Sequence, residues 1–405
     1  MNANMLIRTA TTADIAQLKD FFARLDNPSQ APWIEIMMDG RHPHTRAENF
    51  VLAEDQANGK ITTCSVYMPW TYLYDGTPIQ VSRVEQVFAE PEYQGQGLMK
   101  AVFNQIHQYS ARRGDVMQVV YGRPGLYRHL GYSLALPNEE EGFLVSFHEV
   151  NLAEGQPEFT IRPAEEADFP LIAGLYQQSS SRYAVCLQMG IAELYYGKHV
   201  YPVESLDVVK NRSGETVGFI RFLGKEMVYA LELIPEVSYY RFRKSFLWHM
   251  KSNDIPQIAL KLGEHHPFYD VLDEYPQKKL LTLHGYARID DIPAFLGAVT
   301  SVLDKRLQAS AYAGFDGSPV LCLNDKDESY RLTFKNGHLE RVEPVTQDFG
   351  DFYITRDRLI RLFLGRLSLA DLDRESAEVY FKHPDFRRII GILFPKKQSF
   401  IYSVN

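Results

Sequence analysis

The run Val84-Glu85-Gln86-Val87-Phe88-Ala89-Glu90-Pro91-Glu92-Tyr93-Gln94-Gly95-Gln96-Gly97-Leu98-Met99 carries the clearest chemical signal in the chain. It reads as a strand, a loop with two glycines, and the start of a helix. Lacking Cβ, Gly95 and Gly97 let the backbone turn so that several N–H groups converge on one anion, and the positive end of the following helix adds to that field. Such a loop suits a pyrophosphate. Two glycines at this spacing also mark ordinary turns, so context decides. There is no Gly-Lys-Ser/Thr for a nucleoside-triphosphate loop, and the third glycine of a dinucleotide fingerprint is missing.

What remains resembles the acetyl-CoA loop of the GCN5-related N-acetyltransferases, Gln/Arg-x-x-Gly-x-Gly/Ala, with Gln94, Gly97 and Met99 at the three motif positions. Met99 replaces the usual small residue, which would set the helix slightly further from the cofactor. The resemblance implies that Val87, Phe88, Ala89, Gln94, Gly95, Gln96, Gly97, Leu98 and Met99 hold acetyl-CoA. Acyl transfer to an amine needs a base, because an alkyl ammonium of pKa about 10.4 is neutral only about once in a thousand molecules at pH 7. It also needs an acid near the CoA sulfur. Tyr127, in Gly125-Leu126-Tyr127-Arg128-His129-Leu130-Gly131-Tyr132, is the candidate acid, since a phenol of pKa about 10 is protonated at neutral pH; the alternative is a ring packed in the core. Glu85, on the strand before the loop, is a candidate base, or else a partner for Arg83. Asp26, Trp33 and Trp70 are candidate pocket residues that could equally be structural.

Several elements must position these groups. Leu98, Met99, Val102, Phe103 and Ile106 recur at helical spacing after the loop. Upstream lie strand-like Phe50–Ala53, an Asn58-Gly59 turn, Ile61–Tyr67, then Tyr72–Tyr74 and an Asp75-Gly76 turn into Ile79–Val81; downstream is Val116–Val120. An internal repeat extends the plan: Ile7-Arg8-Thr9-Ala10-Thr11-Thr12-Ala13-Asp14 returns as Ile161-Arg162-Pro163-Ala164-Glu165-Glu166-Ala167-Asp168, which predicts two domains of similar fold. The second copy has a hairpin, Leu206–Val209 through Ser213-Gly214 to Val217–Ile220, and a helix around Trp248. Where the first has Gln-Gly-Gln-Gly, it reads Ile234-Pro235-Glu236-Val237-Ser238-Tyr239-Tyr240-Arg241, with no glycine. One domain is therefore read as active and the other as packing. The last segment has strands near Val320–Leu323 and Tyr330–Phe334, an Asn336-Gly337 turn, a helix Arg356–Leu364 capped by Thr355, and another starting at Ser368 with Asp371 in reach.

A chain of 405 residues exceeds one core, and 45% hydrophobic with 13% aromatic content fits globular domains. The net charge of −8 argues against nucleic acid and anionic membrane as partners. Cys64, Cys186 and Cys322 are widely spaced, as in a reduced cytoplasmic protein, and neither a signal peptide nor a long apolar run is present. His42-x-His44 and Glu264-His265-His266 lack a matching second ligand pair, so no metal is expected.

Taken together, two acetyltransferase-like domains, the second without a cofactor loop, followed by a block resembling a sterol-carrier-protein domain, are similar to the enhanced-intracellular-survival family. The expected fold is α/β: two tandem GNAT folds (1–150 and 151–294), then an α+β sterol-carrier-like domain (295–405). The resemblance implies acetyl transfer to a primary amine of an aminoglycoside-like or polyamine-like molecule, a homo-hexamer, and a base supplied by the C-terminal α-carboxylate, here that of Asn405. A different class, a lipid- or small-molecule-binding protein on an inert acetyltransferase scaffold, stays open.

Overall fold

A computed structural model describes residues 4–401 apart from 27–30, 123–124, 138–141, 148–156, 202–203, 264, 274, 276, 281–284, 347–348 and 376–377. Asn405 lies outside the described residues. The fold is mixed α/β, as expected, and the chain divides into two compact units, Met1–Leu136 with His284–Ser399, and Pro137–Leu283 with Phe400–Asn405.

In the first unit, β1 (Met5–Thr9), β2 (Phe50–Asp55), β3 (Lys60–Tyr74) and β4 (Thr77–Ala89) form an antiparallel meander, and β5 (Met117–Tyr121) joins β4 in parallel. The sequence suggested two strands between Ile61 and Tyr74; one 15-residue strand replaces them. Its side chains are buried at almost every position because both faces of the sheet are covered, so the alternation that would have marked one strand is absent. The Asp75-Gly76 turn closes the β3–β4 hairpin with φ of 47° and 84°, the left-handed pair that a two-residue hairpin requires. Helices α1 (Ile15–Leu25), α2 (Ala31–Asp39) and α3 (Leu98–Arg113) complete this layer. After β5 the sheet receives the strand Gly285–Arg288, then β6 (Ser133–Leu136).

The second unit repeats the plan. β7 (Gly142–Ser146) and β8 (Thr160–Pro163) lead to α4 (Phe169–Ser179), β9 (Val185–Leu187), α5 (Ile191–Tyr195) and β10 (Glu204–Lys210). Then come β11 (Thr216–Leu223), β12 (Met227–Leu233), α6 (Tyr239–Ser252), β13 (Gln257–Leu260) and β14 (Gln277–Leu280). The strand order is β14-β7-β13-β12-β11-β10-β8, with β12 and β13 parallel. The repeated octapeptide makes the same structure twice. Arg8 forks onto Asp14 at 2.7 and 2.9 Å, and Arg162 onto Asp168 at 3.0 and 3.3 Å. In both copies the Asp also accepts the N–H three residues before it, from Thr11 at 2.8 Å and Glu165 at 2.9 Å. The Arg and these N–H bonds hold both carboxyls below their usual pKa against the opposing effect of burial.

The boundaries expected at 150 and 294 do not follow sheet membership. Residues 142–146 form a strand of the second unit's sheet and 285–288 a strand of the first's. Both are short apolar strands, and side-chain pattern cannot say which of two like sheets a strand enters.

The C-terminal part of the first unit has a five-stranded sheet in the order His338–Pro344, Glu328–Lys335, Val320–Leu323, Phe352–Ile354, Tyr380–Phe381. Helices Ile292–Ala298 and Thr300–Gln308 precede its strands, an addition to the strand-then-helix order read from sequence. Within this unit Tyr74 Oη donates to Phe363 O at 2.7 Å, and Asp75 pairs with Arg306 at 3.0 Å and with Lys397. Thr355 flanks its helix without a side-chain cap; its Oγ1 accepts from Arg358 at 3.3 Å instead. Ser368 and Asp371 do bond reciprocally, at 3.0 and 3.1 Å.

Candidate active site

β4 and β5 pair only from Val81–Val84 against Met117–Val120, then separate. Where they part, β4 bulges. Cys64 faces Phe88 and Val66 faces Glu85, so Gln86 and Val87 together stand opposite Ser65, and Gln86 takes φ of 53°. A non-glycine residue in the left-handed region marks local strain, of the kind that collects at functional sites. The Gln86 Oε1 atom is buried here with no hydrogen-bond partner among the described residues. A parted pair of parallel strands with a bulge on one side is a wedge that an extended ligand arm can enter.

At the open end of β4 the loop reaches α3. Gln94 Nε2 donates back to Ala89 O at the end of β4 and Gln96 Nε2 to Glu92 O in the turn Pro91–Tyr93, each at 3.1 Å, which pins the loop to its entry. Gly95 and Gly97 have φ of 76° and 80°, and a Cβ on either would meet nothing within 4 Å. Their requirement is therefore conformational, with the space beside them left to a ligand. Gly97 is the N-cap of α3 and supplies no side chain to cap the first turn. Residues 94–97 are exposed; the Gln94 N–H is taken by Pro91 O at 3.3 Å, which leaves the amides of Gly95, Gln96 and Gly97 as the candidates for a ligand. Leu98 is buried and Met99 half-buried; both pack on the core formed by Val84, Val102, Phe103, Tyr127 and Tyr286. The longer side chain of Met99 is thus accommodated in that core.

Tyr127 lies in a short 3-10 turn, 4% exposed, against the rings of Phe103 and Tyr286. Its hydroxyl donates to Tyr121 O, at the end of β5, at 3.3 Å. Gly122 makes room for that reach: a Cβ there would stand 2.9 Å from the phenol oxygen. Behind it, Tyr132 Oη donates to Gln118 Oε1 at 3.2 Å, where Arg288 also donates, and lies 3.2 Å from His107 Nε2. Burial pushes the Tyr132 phenol up and, with Arg288, pulls the His107 imidazole down to about 4. The wall behind Tyr127 is consequently a hydrogen-bonded network of Tyr132, His107 and Gln118 whose charged member is Arg288.

The structure brings together the end of β4, the glycine loop and Tyr127 around one core. Glu85 sits at the bulge with its carboxylate paired to Arg83, whose guanidinium lies 5.2 Å from the Tyr121 ring. Asp26 is exposed just after α1, whereas Trp33 and Trp70 are buried, Trp70 stacking on His44 at 3.8 Å. Both tryptophans serve the core in this structure. Sequence reading missed Gln86, Gly122 and the contributions of Tyr286 and Arg288, since a bulge without glycine and a strand from residue 285 leave no local signal.

All three cysteines are free and buried. Among the described residues no group of three His, Cys, Asp or Glu side chains could hold a metal, and no helix is long and apolar enough to cross a membrane.

A sequence model for the acetyltransferase (GNAT) domain matches residues 6–135. No curated protein matches the chain by sequence. A probable N-acyltransferase of Enterococcus faecalis superposes with a TM-score of 0.74 at 12% identity, covering 98% of this chain and 99% of its own. A GCN5-related N-acetyltransferase from Anabaena variabilis gives 0.74 at 15% identity, and Eis1 of Mycobacterium abscessus 0.64 at 14%, each with the same coverage. At these identities the likeness is one of fold along the whole chain. Residues 6–135 thus match the acetyltransferase (GNAT) domain, in a chain whose fold is similar over 98% of its length to those of solved GCN5-related N-acetyltransferases.

Proposed function

We propose that the protein is an acetyl-CoA-dependent N-acetyltransferase that transfers acetyl directly to a primary amine of an aminoglycoside-like or polyamine-like small molecule, or of a lysine side chain. The observation that carries this is the pair of left-handed glycines at the N-terminus of α3, beside a strand pair that parts at a bulge. Backbone N–H groups of 95–97 hold the pyrophosphate, and the outward end of β4, Val87 to Ala89, receives the pantetheine arm. Acetyl-CoA supplies the activated acyl group. Tyr127 donates a proton to the departing thiolate from its place at the end of β5. A carboxylate takes the proton from the attacking ammonium, either Glu85 at the bulge or the α-carboxylate of Asn405. In this reading the C-terminal block is sterol-carrier-like and the protein a homo-oligomer, as in the family it resembles.

Release of the CoA thiol, followed across a panel of mono- and polyamines, tests the activity. Amine-dependent release is the expected result, and hydrolysis at the same rate with every amine or none would defeat the reading. Two variants then separate the bases. Glu85→Gln keeps the shape of the side chain but cannot accept the proton, and removal of residues 402–405 takes away Asn405. Whichever variant loses tenfold or more in turnover, at unchanged acetyl-CoA affinity, names the base.

A further inference from the structure

The second unit has a wedge in the same place as the first, and the chain's own Phe400 lines it. β12 and β13 pair at Met227–Val228 against Ala259–Leu260 and then part. The cavity between them is lined by Tyr229, Leu231 and Glu232 on one side and by Leu262 and His266 on the other. Its floor is a closed polar cluster. Glu232 takes the Arg182 guanidinium and the Tyr239 hydroxyl, the latter at 3.2 Å. His266 Nε2 donates to Leu231 O at 2.9 Å, and its Nδ1 accepts the Phe268 N–H at 3.2 Å. Burial, helped by Arg182, keeps that imidazole neutral, and Glu232, the one carboxylate among the described lining residues, already has its cation. A charged ligand finds no open partner on this floor.

Phe400 lines the same cavity beside Tyr183 and Cys186. The Phe400 N–H donates to Val185 O at 2.8 Å, and the residue bridges in parallel to Cys186 on β9. Its ring lies 5.1 Å from that of Tyr183. Gly263 forms the opposite wall with φ of +83°, and a Cβ there would lie 3.2 Å from Phe400 Cδ2, close enough to push the ring outward. The next residue, Ile401, is 2% exposed.

We propose that the parted strands of the second unit are a socket for the chain's own segment beginning at Phe400. Strand addition along β9 supplies the backbone bond, and the wedge between Tyr183 and Gly263 selects an aromatic side chain. The ligand class is an extended peptide with one aromatic anchor, and the occupant is residues 400–401. The sheet that has no phosphate loop thereby has a binding role of its own. This role stands whether or not the first unit transfers acetyl groups.

Hydrogen–deuterium exchange on the full-length protein tests the socket, read at residues 400–401 and, separately, in β12 and β13. Phe400→Ala should speed exchange at 400–401 tenfold or more and leave β12 and β13 as protected as before, while Phe400→Tyr retains most of the protection. Gly263→Ala should free the same segment from the socket side. If Gly263→Ala disturbs the fold, the two Phe400 variants still decide. Unchanged exchange at 400–401 in Phe400→Ala would overturn the proposal. Equal loss of protection through β12 and β13 would also overturn it, making Phe400 an ordinary core residue.

Discussion

Two parted strand pairs, β4 with β5 and β12 with β13, grow from one plan and end differently. Each pair is parallel over a few residues, each is followed by a 3-10 turn carrying a tyrosine, and each tyrosine donates to the last part of its strand. Tyr127 reaches Tyr121 O at 3.3 Å, and Tyr269 reaches Leu260 O at 2.7 Å while also accepting the Leu262 N–H at 3.1 Å. The decisive difference lies in the connection to the next helix. In the first unit that connection has two left-handed glycines and leaves the helix end without a side-chain cap. In the second, Ser238 Oγ closes the helix by accepting the Arg241 N–H at 3.3 Å, and no glycine is present between β12 and α6. A helix start without a side-chain cap belongs to one unit; a serine-capped helix start and a cavity lined by Phe400 belong to the other.

The two tyrosines offer the sharpest way to break this comparison. Tyr127→Phe should lower turnover by about a hundredfold or more with acetyl-CoA affinity almost unchanged, since it removes a proton donor and keeps the ring. Tyr269→Phe should leave turnover alone and cost about 1–3 kcal/mol of stability, because it strands a buried N–H and a carbonyl. Steady-state kinetics beside denaturant unfolding reads both, and a reversal of the two effects would exchange the roles of the units.

A smaller effect comes from pH. Burial, with Arg182 nearby, lowers the His266 pKa to about 3 from 6.5, and the groups facing it are Glu232, Tyr239 and the Leu231 carbonyl. The unfolded chain binds that proton between those values and the folded chain does not, so the contribution is complete above about pH 6.5 and is lost as pH falls toward 3. His266→Gln should be less stable at pH 7 and should show a shallower acid loss, by close to one proton, in unfolding followed between pH 6.5 and 4. An equally steep loss in the variant would mean that another group carries the titration.

Much of this was legible in sequence where a local rule applied. The glycine loop, the Asp75-Gly76 hairpin, the Arg8–Asp14 and Arg162–Asp168 repeat, and the Ser368–Asp371 cap all follow from residue types at short spacing. The repeat was visible because its Arg and Asp form the same fork in both copies. What escaped depends on distant pairing: the strand Gly285–Arg288 beside β5, the Gln86 bulge created by register against β3, and Phe400 beside β9. The likeness of Tyr269 to Tyr127 was also missed, although both stand after a short apolar strand, because the flanking residues differ and only the carbonyl each one reaches relates them.

Calorimetric titration of the full-length protein with acetyl-CoA tests the central claim most directly. The account predicts one site per chain, and loss of that site in Gly97→Val, where a branched side chain at φ of +80° would stand between the backbone amides and the pyrophosphate. A thermal melt of the variant confirms that it is folded. Two sites per chain, or unchanged affinity in folded Gly97→Val, would contradict it.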